Sequence, residues 1–247
     1  MLELSEAEII TRLGFGSKPD LKIFIKGKTE QIEFAANIVI SQFGDHINNW
    51  VKEYLKDKRK RFVARIEKPP ENKVIKSPGR IAEKMITSYN LTPDTPITAQ
   101  NFLIETGDVG RFRILCNYLS DVNFISDNIK KIDSHIQNIK HLDHKYKDYI
   151  KTPYEERRAG HRAIQHYFRC EKSELHFVFE VQIMTLFEHG WDKKDHHLIY
   201  ENVRVGEGDK IPVPLKNRVA AMSELFYVAD TTFDDLREEI EKLIGDK

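Results

Sequence analysis

Three segments in the middle of the chain alternate apolar and polar residues with a period of two. They comprise residues 111–118, 163–170 and 175–183. This period is typical of strands that bury one face, whereas a helix repeats its faces every three to four residues. Residues 171–174 between the last two segments are short and polar, which predicts a hairpin turn. We therefore expect a β-sheet at the centre of the chain.

Helical spacing is found on both sides of these segments. Ser77 and Pro78 stand where an N-cap and a first-turn proline belong, before apolar residues that predict a helix. Ser120 with Asp121 predicts the cap of a second helix, and residues 184–198 predict a third that packs back on the sheet. Strands that alternate with helices indicate an α/β layer.

The first 66 residues are predicted to be mostly helical. Ser5 and Glu8 form a capping-box pattern, and Thr29 is predicted to cap a long helical region. Between them, the alternation of residues 22–26 predicts a short strand. The prolines that begin at Pro69 predict a connector to the rest of the chain.

The tail has the most regular apolar pattern, with steps of four and three residues. Such heptads describe a helical seam, and two partners fit it equally: a second copy of the chain or the chain's own N-terminal helices. The seam comprises Leu215, Val219, Met222, Phe226, Ala229, Phe233, Leu236, Ile240 and Leu243.

Charge and composition exclude several classes of protein. Basic and acidic residues number 39 each, so no global field attracts nucleic acid or membrane, and the basic stretch 56–65 is interpreted as a solvated helix face. No window approaches 18 apolar residues and the start lacks a secretion signal, so we expect a cytoplasmic protein without a membrane segment. Cys116 and Cys170 lie in apolar segments and are interpreted as core residues.

Two carboxylates mark a candidate site. Asp108 lies just before the first strand, and Glu180 lies on the polar side of a later one. Carboxylates on neighbouring strands predict a Mg²⁺ site for phosphoryl or pyrophosphoryl transfer, and the alternative for each acid is a surface or ion-paired residue. His141 and His144 lack a third metal ligand and are interpreted as a solvated helix face.

Four blocks in this order resemble the RelA/SpoT-type alarmone synthetase domain. The match covers roughly residues 73–200, and the last helix is similar to the tails of small single-domain members. The blocks are residues 76–85, 108–116, 160–164 and 179–185, followed by Trp191, His196 and Tyr200.

The resemblance implies an α+β fold, with a mixed sheet flanked by helices as in nucleotidyltransferases. It divides the chain into an N-terminal helical extension (1–72), a synthetase core (73–205) and a C-terminal helix (206–247). The implied activity transfers the β,γ-pyrophosphate of ATP to the ribose 3'-hydroxyl of GDP or GTP, with Mg²⁺. The hydrolase domain of long family members has no equivalent here.

The resemblance also assigns residues. Asp108 and Glu180 correspond to the catalytic, metal-binding carboxylates of the family. Substrate contacts are assigned to Lys76, Lys84, Arg113, Lys147, His161, Arg162, Gln182 and His196. Arg80, Arg111 and Arg157, which depart from the family pattern, are added as candidate substrate contacts.

Departures from the family pattern leave the acceptor open. His161 stands where the family has a guanine-stacking tyrosine, and Val74, Arg80, Arg111 and Met184 replace other motif residues. Added arginines, including Arg157 and Arg158, either replace lost phosphate contacts or widen the site for a larger acceptor. One alternative is therefore a toxin-type synthetase that modifies the tRNA 3' end or adenine nucleotides, with an antitoxin as partner. The other is a non-catalytic nucleotide- or RNA-binding regulator.

Overall fold

The computed structural model describes residues 4–58, 64–67, 74–152, 160–172 and 175–245. Single 3₁₀ turns lie at Ile132–Ser134, Asp143–Lys145 and Gly208–Lys210, and a π-helical turn lies at His196–Tyr200. The helices are α1 (Glu6–Arg12), α2 (Lys18–Lys58), α3 (Pro78–Leu91), α4 (Phe102–Glu105), α5 (Leu119–Ile129), α6 (Leu186–Asp195), α7 (Glu201–Arg204) and α8 (Val213–Gly245). The strands are β1 (Ala64–Glu67), β2 (Gly110–Cys116), β3 (Ile139–His141), β4 (Lys147–Asp148), β5 (Ile164–Lys172) and β6 (Leu175–Thr185).

These strands form one mixed sheet with the order β1-β2-β6-β5-β3, and β4 also pairs with β5. The β2 and β6 strands are parallel, whereas the other pairs are antiparallel. The mixed sheet flanked by helices is therefore confirmed. The predicted pairing of segments 163–170 and 175–183 is confirmed as β5 with β6, and part of their turn lies outside the described residues.

A single apolar core joins the N-terminal helices to the sheet. Phe43 of α2 is fully buried, and its ring lies edge-on to Phe112 and Phe168, each at 5.3 Å between centroids. These two residues belong to β2 and β5, so α2 covers the apolar face of the sheet. The predicted connector and domain boundary near residues 69–73 lie outside the described residues.

The N-terminal helices confirm one prediction and overturn another. Ser5 caps α1, and Glu8 returns its carboxylate to the Ser5 backbone N–H at 2.9 Å, as the capping box predicts. The predicted strand at 22–26 is wrong, because these residues lie inside α2. There Leu21 and Ile25 are buried while Ile23 is 70% exposed, which is a helical pattern. Thr29 is likewise inside α2 and caps nothing.

The α5 helix begins one residue before the predicted cap. Its N-cap residue is Tyr118, whose side chain makes no capping bond. Asp121 is instead buried and accepts a hydrogen bond of 2.8 Å from Arg237 of α8, and Ser120 donates to Asp234 of α8 at 2.6 Å. Polar side chains that resemble a local cap therefore attach a distant helix.

The α8 helix packs on α5 and α6. It buries Ala220, Ser223 and Asp230, none of which belongs to the predicted seam. Packing against the chain's own N-terminal helices does not account for the seam, because most seam residues are exposed, from 43% at Met222 to 73% at Leu243.

Buried polar residues fill part of the core around β3. His141 lies in β3 rather than on a solvated helix face, so that interpretation is wrong. Its Nε2 lies 3.0 Å from Nδ1 of His166, whose pKa is lowered by burial to about 3. Cys116 and Cys170 are buried in the core, as predicted. Among the described helices, none combines the length and apolarity needed to cross a membrane.

Candidate active site

The face of the sheet opposite Phe43 carries polar side chains from three neighbouring strands. Residues paired across strands, and residues two apart along one strand, share a face. The register of β2, β6 and β5 therefore forms two polar rows on that face. The rows are Arg111–Glu180–Tyr167 and Arg113–Gln182–Gln165.

Asp108 lies at one end of these rows, two residues before β2. Gly107 turns the chain there with a φ of 78°, a conformation that strains other residues. Lys84 Nζ donates to Asp108 Oδ1 at 2.8 Å, and Lys76 Nζ donates to Oδ2. Burial raises the pKa of Asp108, but the two ammonium groups outweigh it and hold that pKa below its usual value. Asp108 is therefore ionised and lies between two ammonium groups.

The lysines respond to the same environment. Burial lowers the pKa of Lys76 to about 8, although the Asp108 carboxylate opposes the shift. Arg111 adds a third positive charge near Lys76 and forms no ion pair with a described residue. This end of the face therefore holds more positive than negative charge.

Glu180 is buried at the centre of the polar face, with 5% of its surface exposed. The Tyr167 hydroxyl lies 3.0 Å from Glu180 Oε1. Burial raises the pKa of Tyr167, and the charges of Glu180 and Asp108 raise it further. The charges of both predicted carboxylates therefore raise the pKa of the same hydroxyl group.

Arg113 connects the polar face to α6. Its Nε donates to Gln182 Oε1 at 3.0 Å, its Nη1 lies 3.2 Å from His189 Nδ1, and its Nη2 lies 2.7 Å from Asp192 Oδ2. Its guanidinium is therefore paired on three sides within the protein.

His161 lies at the opposite end from Asp108. Its Nδ1 lies 3.3 Å from Asp192 and 3.6 Å from Glu188, and its ring lies edge-on to Tyr149 at 6.1 Å. Burial lowers the pKa of His161, but these carboxylates outweigh it and raise that pKa. Burial raises the pKa of Glu188 to about 7.

Arg80 and His196 meet beside the site, at the turn that extends α6. The Arg80 guanidinium forms an ion pair with Glu201 and lies 5.7 Å from the centre of the Tyr200 ring. His196 lies 3.2 Å from Glu201, and its ring centre is 4.6 Å from that of Tyr200. The predicted spacing of these motif residues thus corresponds to one contact network.

Of two further predicted residues, one lies on the polar face and the other does not. Lys147 in β4 pairs with Gln165 and so extends the polar rows, with its Nζ 5.9 Å from the Tyr149 ring centre. Arg162 is buried beneath α8, where it pairs with Glu224 and lies over the Tyr227 ring. Its guanidinium is held by α8, so the structure gives no support to a substrate contact. Arg157 lies outside the described residues.

Sequence reasoning missed four residues that complete the site: Tyr167, Glu188, His189 and Asp192. A signal existed in part, because Glu188, Asp192 and His196 are spaced by four and lie on one side of a helix. No such signal marks Tyr167, which reaches Glu180 only through the pairing of β5 with β6.

The donor set suits a metal that is completed by its substrate. No three His, Cys, Asp or Glu side chains in the described ranges are grouped to hold a metal by themselves. Mg²⁺ in nucleotide enzymes is commonly held by one or two carboxylates together with substrate phosphates. Asp108 and Glu180 could supply the two carboxylates.

Comparisons with known proteins point to one family. A family model described as the region found in RelA / SpoT proteins matches residues 73–204, which is more than half of the chain. A search of curated proteins found no match.

Several solved structures share the fold. A GTP pyrophosphokinase family protein from Streptococcus pneumoniae is 16% identical, with a TM-score of 0.60 and coverage of 87% of this chain and 95% of that one. The small alarmone synthetase 1 from Bacillus subtilis is 17% identical, with a TM-score of 0.59 and coverage of 86% and 97%.

The same Bacillus subtilis synthetase also matches in two liganded structures. With its product pppGpp it is 17% identical, with a TM-score of 0.59 and coverage of 85% of this chain and 97% of that one. With AMPCPP the identity is 16%, the TM-score is 0.53 and the coverage is 88% and 98%.

Proposed function

Because the chain belongs to the RelA/SpoT family, we propose that it transfers the β,γ-pyrophosphate of ATP to the ribose 3'-hydroxyl of a nucleotide. The observation that carries this proposal is the pair of carboxylates on one polar face, with Asp108 held by Lys76 and Lys84. Phosphoryl-transfer sites require such fixed charges, because their catalysis is mainly positioning and charge neutralisation.

In this proposal the residues have three roles: metal binding, phosphate binding and proton acceptance. Asp108 and Glu180 would hold Mg²⁺, which would neutralise the charge of the triphosphate. Lys76, Lys84 and Arg111 would bind the phosphate oxygens, because an ammonium paired with Asp108 can exchange that partner for phosphate. Glu180 would accept the proton of the 3'-hydroxyl as that oxygen attacks the β-phosphorus, and AMP would leave.

We propose GDP or GTP as the acceptor. The Bacillus subtilis synthetase bound to its product pppGpp supports guanine as the acceptor base by likeness. The AMPCPP-bound structure likewise supports ATP as the donor. In this chain, His161 and Tyr149 would offer rings to the base.

The experiment is incubation of the purified protein with γ-labelled ATP, Mg²⁺ and one acceptor at a time: GDP, GTP, ADP, AMP or tRNA. We expect label in a guanosine nucleotide. Label in tRNA or in an adenine nucleotide would replace this acceptor with the toxin-type alternative. Nucleotide binding without transfer to any acceptor would favour the non-catalytic regulator.

We further propose that a second copy of the chain covers the exposed seam of α8. Charge supports an antiparallel arrangement, because Lys216 and Arg218 lie near the start of the helix and acidic residues such as Glu239 lie near its end. Ile240→Glu should then reduce the mass measured by light scattering. Val228→Glu, exposed but outside the seam, is the matched control, and a wild-type monomer would contradict the proposal.

A further inference from the structure

The contact between Tyr167 and Glu180 follows from strand register. These residues face each other across the antiparallel pair of β5 and β6, which brings their side chains to the same face. The Tyr167 hydroxyl lies 3.0 Å from Glu180 Oε1 and 3.0 Å from Gln165 Oε1. This hydroxyl therefore has two polar partners.

A phenol has one hydrogen, so only one of these contacts can be a donation from Tyr167. A carboxylate accepts a stronger hydrogen bond than a neutral amide, which assigns the hydrogen to Glu180. A flip of the Gln165 amide, whose orientation is set by its network, would bring its nitrogen to the phenol oxygen as a donor. The order of donation would then be Gln165 to Tyr167 to Glu180.

The ring of Tyr167 lies against the turn that leads to Asp108, where a Cβ added to Gly107 would be 4.0 Å from the ring. The phenol is therefore packed on the polar face beside Glu180, with its hydroxyl at hydrogen-bond distance from that carboxylate.

We infer that Tyr167 is a positioning residue for Glu180, fixing one carboxylate oxygen and leaving the other directed to the acceptor. This inference rests on the proposed pyrophosphate transfer. Because the hydrogen bond orients the proton acceptor without touching the nucleotides, its loss should slow the reaction step and leave substrate binding unchanged.

The test is Tyr167→Phe, which removes only the hydroxyl. The kcat for transfer should fall about ten- to hundredfold, as expected for a hydrogen bond to a charged group. The KM values for ATP and for the acceptor, and the thermal midpoint, should stay near those of the wild type. Gln165→Met should lower kcat in the same direction by a smaller factor.

Tyr118→Phe is the matched control, because that ring packs beneath Arg237, away from the polar face. It should keep wild-type kinetics. A Tyr167→Phe protein with wild-type kcat would overturn the inference while the proposed function stood. A lower thermal midpoint together with raised KM values for both substrates would also overturn it, since that result indicates a structural role. A wild-type protein that transfers nothing would overturn the proposed function first.

Discussion

The two ends of the polar face both hold ion pairs but differ in charge balance. At one end, Lys76 and Lys84 both bind the single carboxylate of Asp108. At the other end, Asp192 pairs with Arg113 and lies beside His161. The first end has cations in excess, whereas at the second end Arg113 and His161 face two carboxylates, Asp192 and Glu188.

This difference in charge balance suits the two ends to different parts of the substrates. An excess of cations favours a polyanion such as a triphosphate, because the phosphate oxygens replace the missing negative charge. Balanced pairs are already neutralised, so they suit the uncharged base or ribose of an acceptor. Variants at each end therefore test whether the two ends bind different parts of the substrates.

The largest effect is expected from the carboxylates. Asp108→Ala or Glu180→Ala should lower the transfer rate at least about a hundredfold, because each removes a charge needed in the transition state. Circular dichroism should show that the fold is retained, and Asp235→Ala on exposed α8 is the control. Near-normal turnover in either variant would remove the metal-binding role assigned to that residue.

An effect of intermediate size is expected from Asp192→Asn, on the pKa of His161. Burial lowers the pKa of His161, but Asp192 and Glu188 together outweigh it and raise that pKa. Without the Asp192 charge the pKa should fall, so the imidazole would lose its proton at lower pH. Titration of the His161 ring protons by NMR measures this change. An unchanged titration would break the pairing on which the comparison depends.

The same variant gives a signed prediction for stability. The raised pKa of His161 stabilises the folded protein at low pH, and this contribution is lost as pH rises through the folded-state value. In Asp192→Asn that contribution should be absent. The free energy of unfolding measured on both sides of neutral pH would show the difference.

The smallest effect is expected from His161→Tyr. Base stacking on an aromatic ring contributes about 1–3 kcal/mol, and an imidazole stacks less extensively than a phenol. If guanine is the acceptor base, the KM for GDP or GTP should fall about fivefold while that for ATP stays unchanged. His135→Tyr, on an exposed turn, is the control. An unaltered acceptor KM would withdraw His161 from the acceptor site.

Local signals predicted much of the fold. The capping box at Ser5, the Ser77-Pro78 start of α3 and the alternation in β2 each depend on neighbouring residues, so the sequence alone was sufficient. The strand predicted at 22–26 failed because a short apolar alternation fits two periods. Only the longer spacing of Leu21, Ile25 and Ile32 identifies the helix.

A residue of the candidate site could be predicted only where its place along a predicted strand or helix indicated its role. Asp108 and Glu180 were found because they stand at a strand start and on a strand's polar face. Tyr167 was missed because its role arises from the pairing of β5 with β6, which no local pattern encodes. The helical spacing of Asp192 was a partial signal, but it does not show that Asp192 meets Arg113 and His161.

Pyrophosphate transfer is tested most directly by the identity of the nucleotide released from ATP. In a reaction with the accepting nucleotide, we expect AMP in equal amount to the pyrophosphorylated product, and a rate at least about a hundredfold lower for both in the Asp108→Ala variant. Chromatography with ATP labelled in the adenine ring measures this release. Formation of ADP as the leaving nucleotide, or AMP without a pyrophosphorylated product, would contradict pyrophosphate transfer.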